Sequence, residues 1–122
     1  MDFDDPAVFS RLEACIEEQL DALPFGVIAF SPEGLVTRYN LAESRGAGFT
    51  RERVIGRHLF VDVAPCMNNF LVAQRFEDEA ELDVELDYTF TFRVRPTPVR
   101  LRLLKASGCT TRYILVLRGH AT

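Results

Sequence analysis

Apolar and polar residues alternate without a break in VELDYTFTFRVR. Val84, Leu86, Tyr88, Phe90, Phe92 and Val94 fall on one side, and Glu85, Asp87, Thr89, Thr91, Arg93 and Arg95 on the other. A period of two sends the two sets to opposite faces of a pleated strand, so this segment predicts a β-strand with one aromatic, buried face. Pro96-Thr97-Pro98 interrupts it, since proline has no N–H to give to a ladder. VRLRLL resumes the alternation, SGC makes a turn and RYILVLR supplies a last strand. Earlier in the chain, FGVIAF reads as a short buried strand, SPEG as a tight turn and LVTRY as the returning strand of a hairpin.

Helical spacing appears first at the N-terminus, where Phe9, Leu12, Ile16, Leu20 and Leu23 form one apolar stripe, with Asp5 as N-cap and Pro6 at the first helical position. From Asn40 to Ala64 the glycines Gly46, Gly48 and Gly56 predict short helical pieces, and Thr50-Arg51-Glu52-Arg53 resembles a capping box that lacks its closing acid. A further helix is expected from about Asn69 to Phe76, followed by the solvated acidic run EDEAELD. Helix, two strands, short helices and three strands describe an α+β domain. Its five-stranded antiparallel sheet is flanked by short helices and enclosed by an N-terminal helical cap. The predicted division is a cap over 1–22, a core over 23–118 and a tail over 119–122. A pocket is expected between the sheet and the helices that cross it.

With 122 residues the chain suits one domain with a single modest core, and its 48% apolar and 26% charged content is that of an ordinary globular protein. A net charge of −4 disfavours a nucleic-acid face. The acidic N-terminus MDFDDPAVF is unlike a secretory signal, and no stretch approaches a membrane span, so a cytoplasmic location without membrane association is expected.

Three cysteines at wide, irregular spacings suit neither a disulfide framework nor a zinc site, so no metal is expected. Cys15 falls on the helical stripe and Cys109 in a polar turn, which makes them core filler and exposed thiol. Cys66 ends the apolar segment VDVAPC just before MNN, which reads as a helix N-cap region whose N–H groups would stabilise a thiolate; the plain alternative is a small buried hydrophobe. Tyr39, Glu43 and Ala47 are spaced by four, so a helix over 40–47 would let a phenol and a carboxyl converge on one ligand atom. The alternative is a strand-ending tyrosine and a surface glutamate. A cysteine-nucleophile enzyme needs a base near the thiol. His58 in GRHLF reads as a structural or surface histidine and His120 lies in the tail, so an enzyme is not expected.

LDALPFGVIAF, RYNLAE, VIGRHLFVDVAPC, DYTFTFRVRPTPVRLRL and RYILVLR together resemble the photoactive yellow protein family, from about Leu20 to Arg118. These are small blue-light receptors of the PAS fold whose cysteine carries 4-hydroxycinnamic acid (p-coumaric acid) as a thioester. The resemblance implies a PAS-like chromophore-binding core with Cys66 as the attachment site. It makes Tyr39 and a protonated Glu43 the donors to the phenolate, with the backbone N–H of Cys66 holding the thioester carbonyl. Ile28, Val63, Ala64, Pro65, Phe90 and Phe92 would wall the pocket. Signalling would follow trans–cis isomerisation, proton transfer from Glu43 and partial unfolding of the N-terminal cap, read by an unknown downstream signalling protein, with the chain a monomer or weak dimer.

Four positions depart from the family. Ala47 replaces a threonine that supports the tyrosine hydroxyl, Phe49 an arginine that lids the phenolate, Val94 a methionine associated with quick dark recovery, and Phe92 a tyrosine. Loss of a hydroxyl and a charge would raise the chromophore pKa, shift absorption of the anion to the red and slow recovery. The rival reading is a chromophore-free PAS module that binds a small metabolite or dimerises.

Overall fold

A computed structural model describes residues 1–91 and 96–119. Five antiparallel strands form one sheet: β1 (Gly26–Phe30), β2 (Val36–Tyr39), β3 (Leu82–Phe90), β4 (Thr97–Lys105) and β5 (Arg112–Leu117). Their order across the sheet is β2-β1-β5-β4-β3. The β1–β2 hairpin and the β3–β4–β5 meander therefore meet along β1 and β5, with Ile28 opposite Ile114.

Because side chains alternate, these two central strands divide the core in two. Ile28, Phe30, Ile114 and Val116 join Leu101 and Leu103 beneath the crossing segment. Val27, Ala29, Tyr113 and Leu115 point the other way, onto Phe3, Val8, Leu12, Leu20 and Phe25 of the N-terminal cap. Every residue of β1 is buried as a result, and each large apolar side chain so placed contributes roughly 1.5–3 kcal/mol.

The crossing segment comprises helix α3 (Leu41–Ala47), helix α4 (Arg51–Val54), a π-helical turn (Leu59–Val63), a 3-10 turn (Pro65–Met67) and helix α5 (Ala73–Asp78). These are the short pieces that the glycines predict. Gly48, at φ 81°, ends α3 in the left-handed conformation that side chains with a Cβ avoid. Helix α5 starts later and ends later than the Asn69–Phe76 expectation. Asn69 instead takes N–H bonds from Leu71 and Val72 in the turn before it.

The single N-terminal helix is corrected by the structure, which has two, α1 (Val8–Ala14) and α2 (Glu17–Asp21). Cys15 and Ile16 are extended between them, and Ile16, placed on the apolar stripe by its spacing, is 61% exposed. Polar bonds account for the break. The Arg38 guanidinium donates to the carbonyls of Leu12 and Cys15, and the Gln19 side chain accepts from the Ile16 N–H, so the chain ends are satisfied without a continuous helix. Asp5 is not the N-cap; Ala7 is. The Asp5 carboxylate accepts from the Ala7 N–H at 2.8 Å and pairs with Arg11.

Strand β3 keeps the predicted alternation, although as an edge strand it buries only Leu82 and Phe90 fully. The proline segment is corrected: Thr97 and Pro98 belong to β4, opposite Phe90 and Thr89. Strand β3 ends at Phe90, and Phe92, Val94 and Arg95 of the predicted strand lie outside the described residues, as does His120. Among the described residues no helix is long and apolar enough to cross a membrane.

Candidate functional site

Asn40 sets the geometry of the site. It is 1% exposed, and as N-cap of α3 its Oδ1 accepts from the N–H of Glu43 at 3.1 Å and of Val27 at 2.8 Å. Its amide donates to the carbonyls of Leu20 (2.8 Å) and Phe25 (3.0 Å). All four hydrogen-bonding positions of the amide are used, and they pin the start of α3 to β1 and to the end of the cap.

That anchor holds Glu43 in the first turn of α3, under the sheet and only 3% exposed. Its carboxylate is gripped by Arg118, just beyond β5, with Nη1 donating to Oε1 at 2.7 Å and Nη2 to Oε2 at 3.1 Å. Two glycines leave the space for this fork. A Cβ at Gly26 would lie 2.1 Å from Glu43 Oε1, and one at Gly46 would lie 2.4 Å from Arg118 Nη1. The guanidinium also lies over the Phe90 ring, 5.5 Å from its centroid. Burial pushes the Glu43 carboxyl above its ordinary range, and Arg118 opposes that rise. Burial, and then the nearby Glu43, likewise raises the Tyr39 phenol.

Tyr39 and Glu43 line one cavity, with Ile28, Ala47, Phe49, Val63, Ala64, Met67 and Phe90 as its walls. It measures about 10 Å³, room for roughly one water. The expected phenol and carboxyl donors thus converge on one apolar-walled space. Phe49 brings no charge to this cavity, and the guanidinium beside it is that of Arg118, which holds Glu43.

Cys66 lies elsewhere. Its neighbours Ala64 and Met67 line the inner cavity, but Cys66 itself lines a wider cleft with Leu71, Tyr88, Thr89, Thr91 and Val99. Pro65 begins the 3-10 turn that contains it. The turn is fastened to β3 by the Cys66 carbonyl, which accepts from the Tyr88 hydroxyl and from Asn69 Nδ2 at 3.1 Å. The helix start expected at MNN is corrected: Cys66 lies within the 3-10 turn, which ends at Met67, and the next helix begins only at Ala73. Burial pushes the half-buried thiol up, and the Thr91 N–H opposes that rise. Cys15 is partly buried against the cap core and Cys109 is exposed. His58 caps the π-helical turn, its Nδ1 accepting from Phe60 N at 3.2 Å.

Sequence reasoning missed Asn40 and Arg118. The Asn-x-x-Glu spacing over 40–43 carried the first as a capping signal. Nothing local carried the second, which is 75 positions from its partner.

A five-stranded sheet of order 2-1-5-4-3 with a small pocket under its crossing helices is the architecture of a sensory PAS domain, and the PAS fold family matches residues 15–117. The photoactive yellow protein of Rhodothalassium salexigens is 36% identical over 62 residues, covering 51% of this chain and 50% of that protein, so the match spans about half the length of this relative. The photoactive yellow protein domain of the sensor histidine kinase Ppr from Rhodospirillum centenum superposes with a TM-score of 0.82 at 36% identity, covering 89% of this chain and 98% of that one. A Rhodobacter sphaeroides LOV protein, 17% identical with a TM-score of 0.64, covers 93% of this chain and 69% of its own and shares the fold alone. The chain belongs to the PAS fold family and, within it, to the photoactive yellow protein family.

Proposed function

We propose that this chain is a blue-light photoreceptor carrying 4-hydroxycinnamic acid as a thioester on Cys66. The observation that carries this reading is the convergence of Tyr39 and Glu43 on one apolar-walled cavity whose lining continues, through Ala64 and Met67, into the turn that bears the Cys66 thiol. A thiol in the turn that adjoins the cavity, with a phenol and a carboxyl inside it, fits the donor set that a phenolic acyl group requires. The cavity would have to open, since a ring needs far more than about 10 Å³; Phe49, Met67 and Phe90 are the side chains placed to move.

The bound group would supply visible absorption and a double bond that isomerises from trans to cis in light. Cys66 would gain it by thiolate attack on an activated acyl donor, releasing the donor's leaving group and the thiol proton. Because burial raises the thiol, loading is expected to be slow at neutral pH and faster in mild alkali. Tyr39 and Glu43 would hold the phenolic oxygen, Glu43 would give up its proton, and the N–H of Cys66 would hold the acyl carbonyl. A carboxylate left in this buried place costs stability, which local unfolding of the cap would relieve. Asn40, bonded to both α3 and the Leu20 carbonyl, is the mechanical link. The role is photochemical, not enzymatic, and its output is read by a signalling partner.

The small cavity and the separate placement of Cys66 favour one rival, a chromophore-free PAS module acting by ligand binding or dimerisation. Incubation with an activated 4-hydroxycinnamoyl donor separates the two. A photoreceptor gives a yellow adduct with the added acyl mass that bleaches reversibly under blue light and is absent in Cys66→Ala. An adduct that never bleaches, or no adduct, would sink the reading.

A further inference from the structure

The fork between Arg118 and Glu43 is more elaborate than a surface ion pair. Both carboxylate oxygens accept from separate guanidinium nitrogens, the acid is 3% exposed, and two backbone positions lack a Cβ where one would strike the pair. Gly46 sits inside α3, where glycine costs about 1 kcal/mol relative to alanine, so the helix gives up stability at the place where Arg118 passes. Phe90 covers the guanidinium from the sheet side. The charged and titratable groups facing Glu43 are Arg118, following β5, and Tyr39, at the end of β2.

We propose that Arg118 is a positioning residue that holds Glu43 as a carboxylate until the chromophore is attached, and thereafter limits the site to one negative charge. The inference rests on the photoreceptor reading for its second half only. A guanidinium keeps its proton at any physiological pH, so the site always contains one fixed cation. Before attachment Glu43 balances it. With a phenolic oxygen beside it, Glu43 shares one proton with that oxygen, and Arg118 balances the single charge left between them. Arg118 thereby takes over, through Glu43, the part that Phe49 cannot play.

The test begins with the protein free of chromophore. Infrared spectra of glutamate-labelled protein, assigned with Glu43→Gln, are expected to show no neutral carboxylic-acid band from Glu43 at neutral pH in the wild type and a clear one in Arg118→Met. The titration midpoint of Glu43 should rise by about 1–3 pH units in Arg118→Met, and by less in Arg118→Lys, which keeps the charge without the fork. A protonated Glu43 in the wild type, which needs no Arg118 variant to observe, overturns the proposal, as does an unchanged midpoint in either variant. In the Cys66 adduct, the phenol should titrate at higher pH in Arg118→Met than in the wild type, and an equal value would overturn the second half. Failure to form an adduct would defeat the photoreceptor reading and leave the first measurement intact, so the two failures are distinguishable.

Discussion

The two faces of the sheet are both closed by arginine, but in different ways. On the cap side Arg102, 5% exposed, donates to the carbonyls of Phe3 and Asp5, each at 2.8 Å, and pairs with Asp83. Arg38 reaches the carbonyls of Leu12 and Cys15, and the Tyr113 hydroxyl joins Arg38 to Glu13. Each of these arginines grips two backbone carbonyls, whose charge never changes, and the one carboxylate among their partners, the Asp83 that Arg102 forks, is exposed to solvent where Glu43 is buried. On the site side Arg118 grips a carboxyl, which can take up or lose a proton. One face is a clasp and the other a switchable contact, although both use the same side chain.

Asn40 belongs to both faces, so its loss should blur the contrast most. Asn40→Ala removes four hydrogen bonds and strands the N–H of Val27 and the carbonyl of Phe25, while the Leu20 carbonyl keeps the N–H of Leu23. The expected cost is about 3–5 kcal/mol, measured by urea unfolding. Next in size, Arg102→Met should cost about 2–4 kcal/mol and expose the cap to proteolysis, while leaving the ionisation of Glu43 unchanged. A shifted Glu43 titration in that variant would erase the distinction between the faces.

Gly26→Ala strikes the site from the backbone. The new Cβ would meet Glu43 Oε1 at 2.1 Å, and β1 is paired on both sides, so Glu43 has to move. A destabilisation of about 1–3 kcal/mol is expected, with a weakened Arg118 fork visible as a raised Glu43 midpoint.

pH separates the faces more gently. A carboxyl whose folded pKa is raised above 4.5 binds more protons folded than unfolded, so its contribution is complete below that value and is lost as pH rises through the folded pKa. Arg118 opposes the rise, so stability should fall with pH more steeply in Arg118→Met than in the wild type. Tyr113→Phe, on the cap face, should leave the slope over the carboxyl range unaltered. Parallel curves for wild type and Arg118→Met would show that the site pair does not titrate with folding.

Much of this architecture was legible because its signals are local. The alternation in β3, the apolar run of β5 and the glycine-rich crossing segment each lie within a few residues, and so does the Asn-x-x-Glu cap, which went unread. The break at Cys15 and Ile16 was not, since apolar spacing in the stripe fitted one helix and the bonds that end it come from Arg38, more than twenty positions away. Helical spacing did bring Tyr39, Glu43 and Ala47 to one cavity. Arg118 escaped because it follows a continuous apolar strand, where nothing marks it as different from an exposed end residue. Gly46 was read as a helix breaker when it is a clearance.

That clearance supports the finest distinction. Gly46→Ala would place a Cβ 2.4 Å from Arg118 Nη1, closer than atoms tolerate. The obstructing group is the tip of a long side chain that is 21% exposed, so it can swing outward. Helix α3 meanwhile gains about 1 kcal/mol from alanine. The two effects nearly cancel, and the variant should stay within about 1 kcal/mol of the wild type in urea unfolding, far closer than Gly26→Ala. Its Glu43 midpoint should nevertheless rise, because the fork is loosened even though the fold is not. Unchanged stability with a shifted titration is the signature of a contact built for charge control. A large loss of stability with no shift would mark Gly46 as mere packing and return the two faces of the sheet to the same footing.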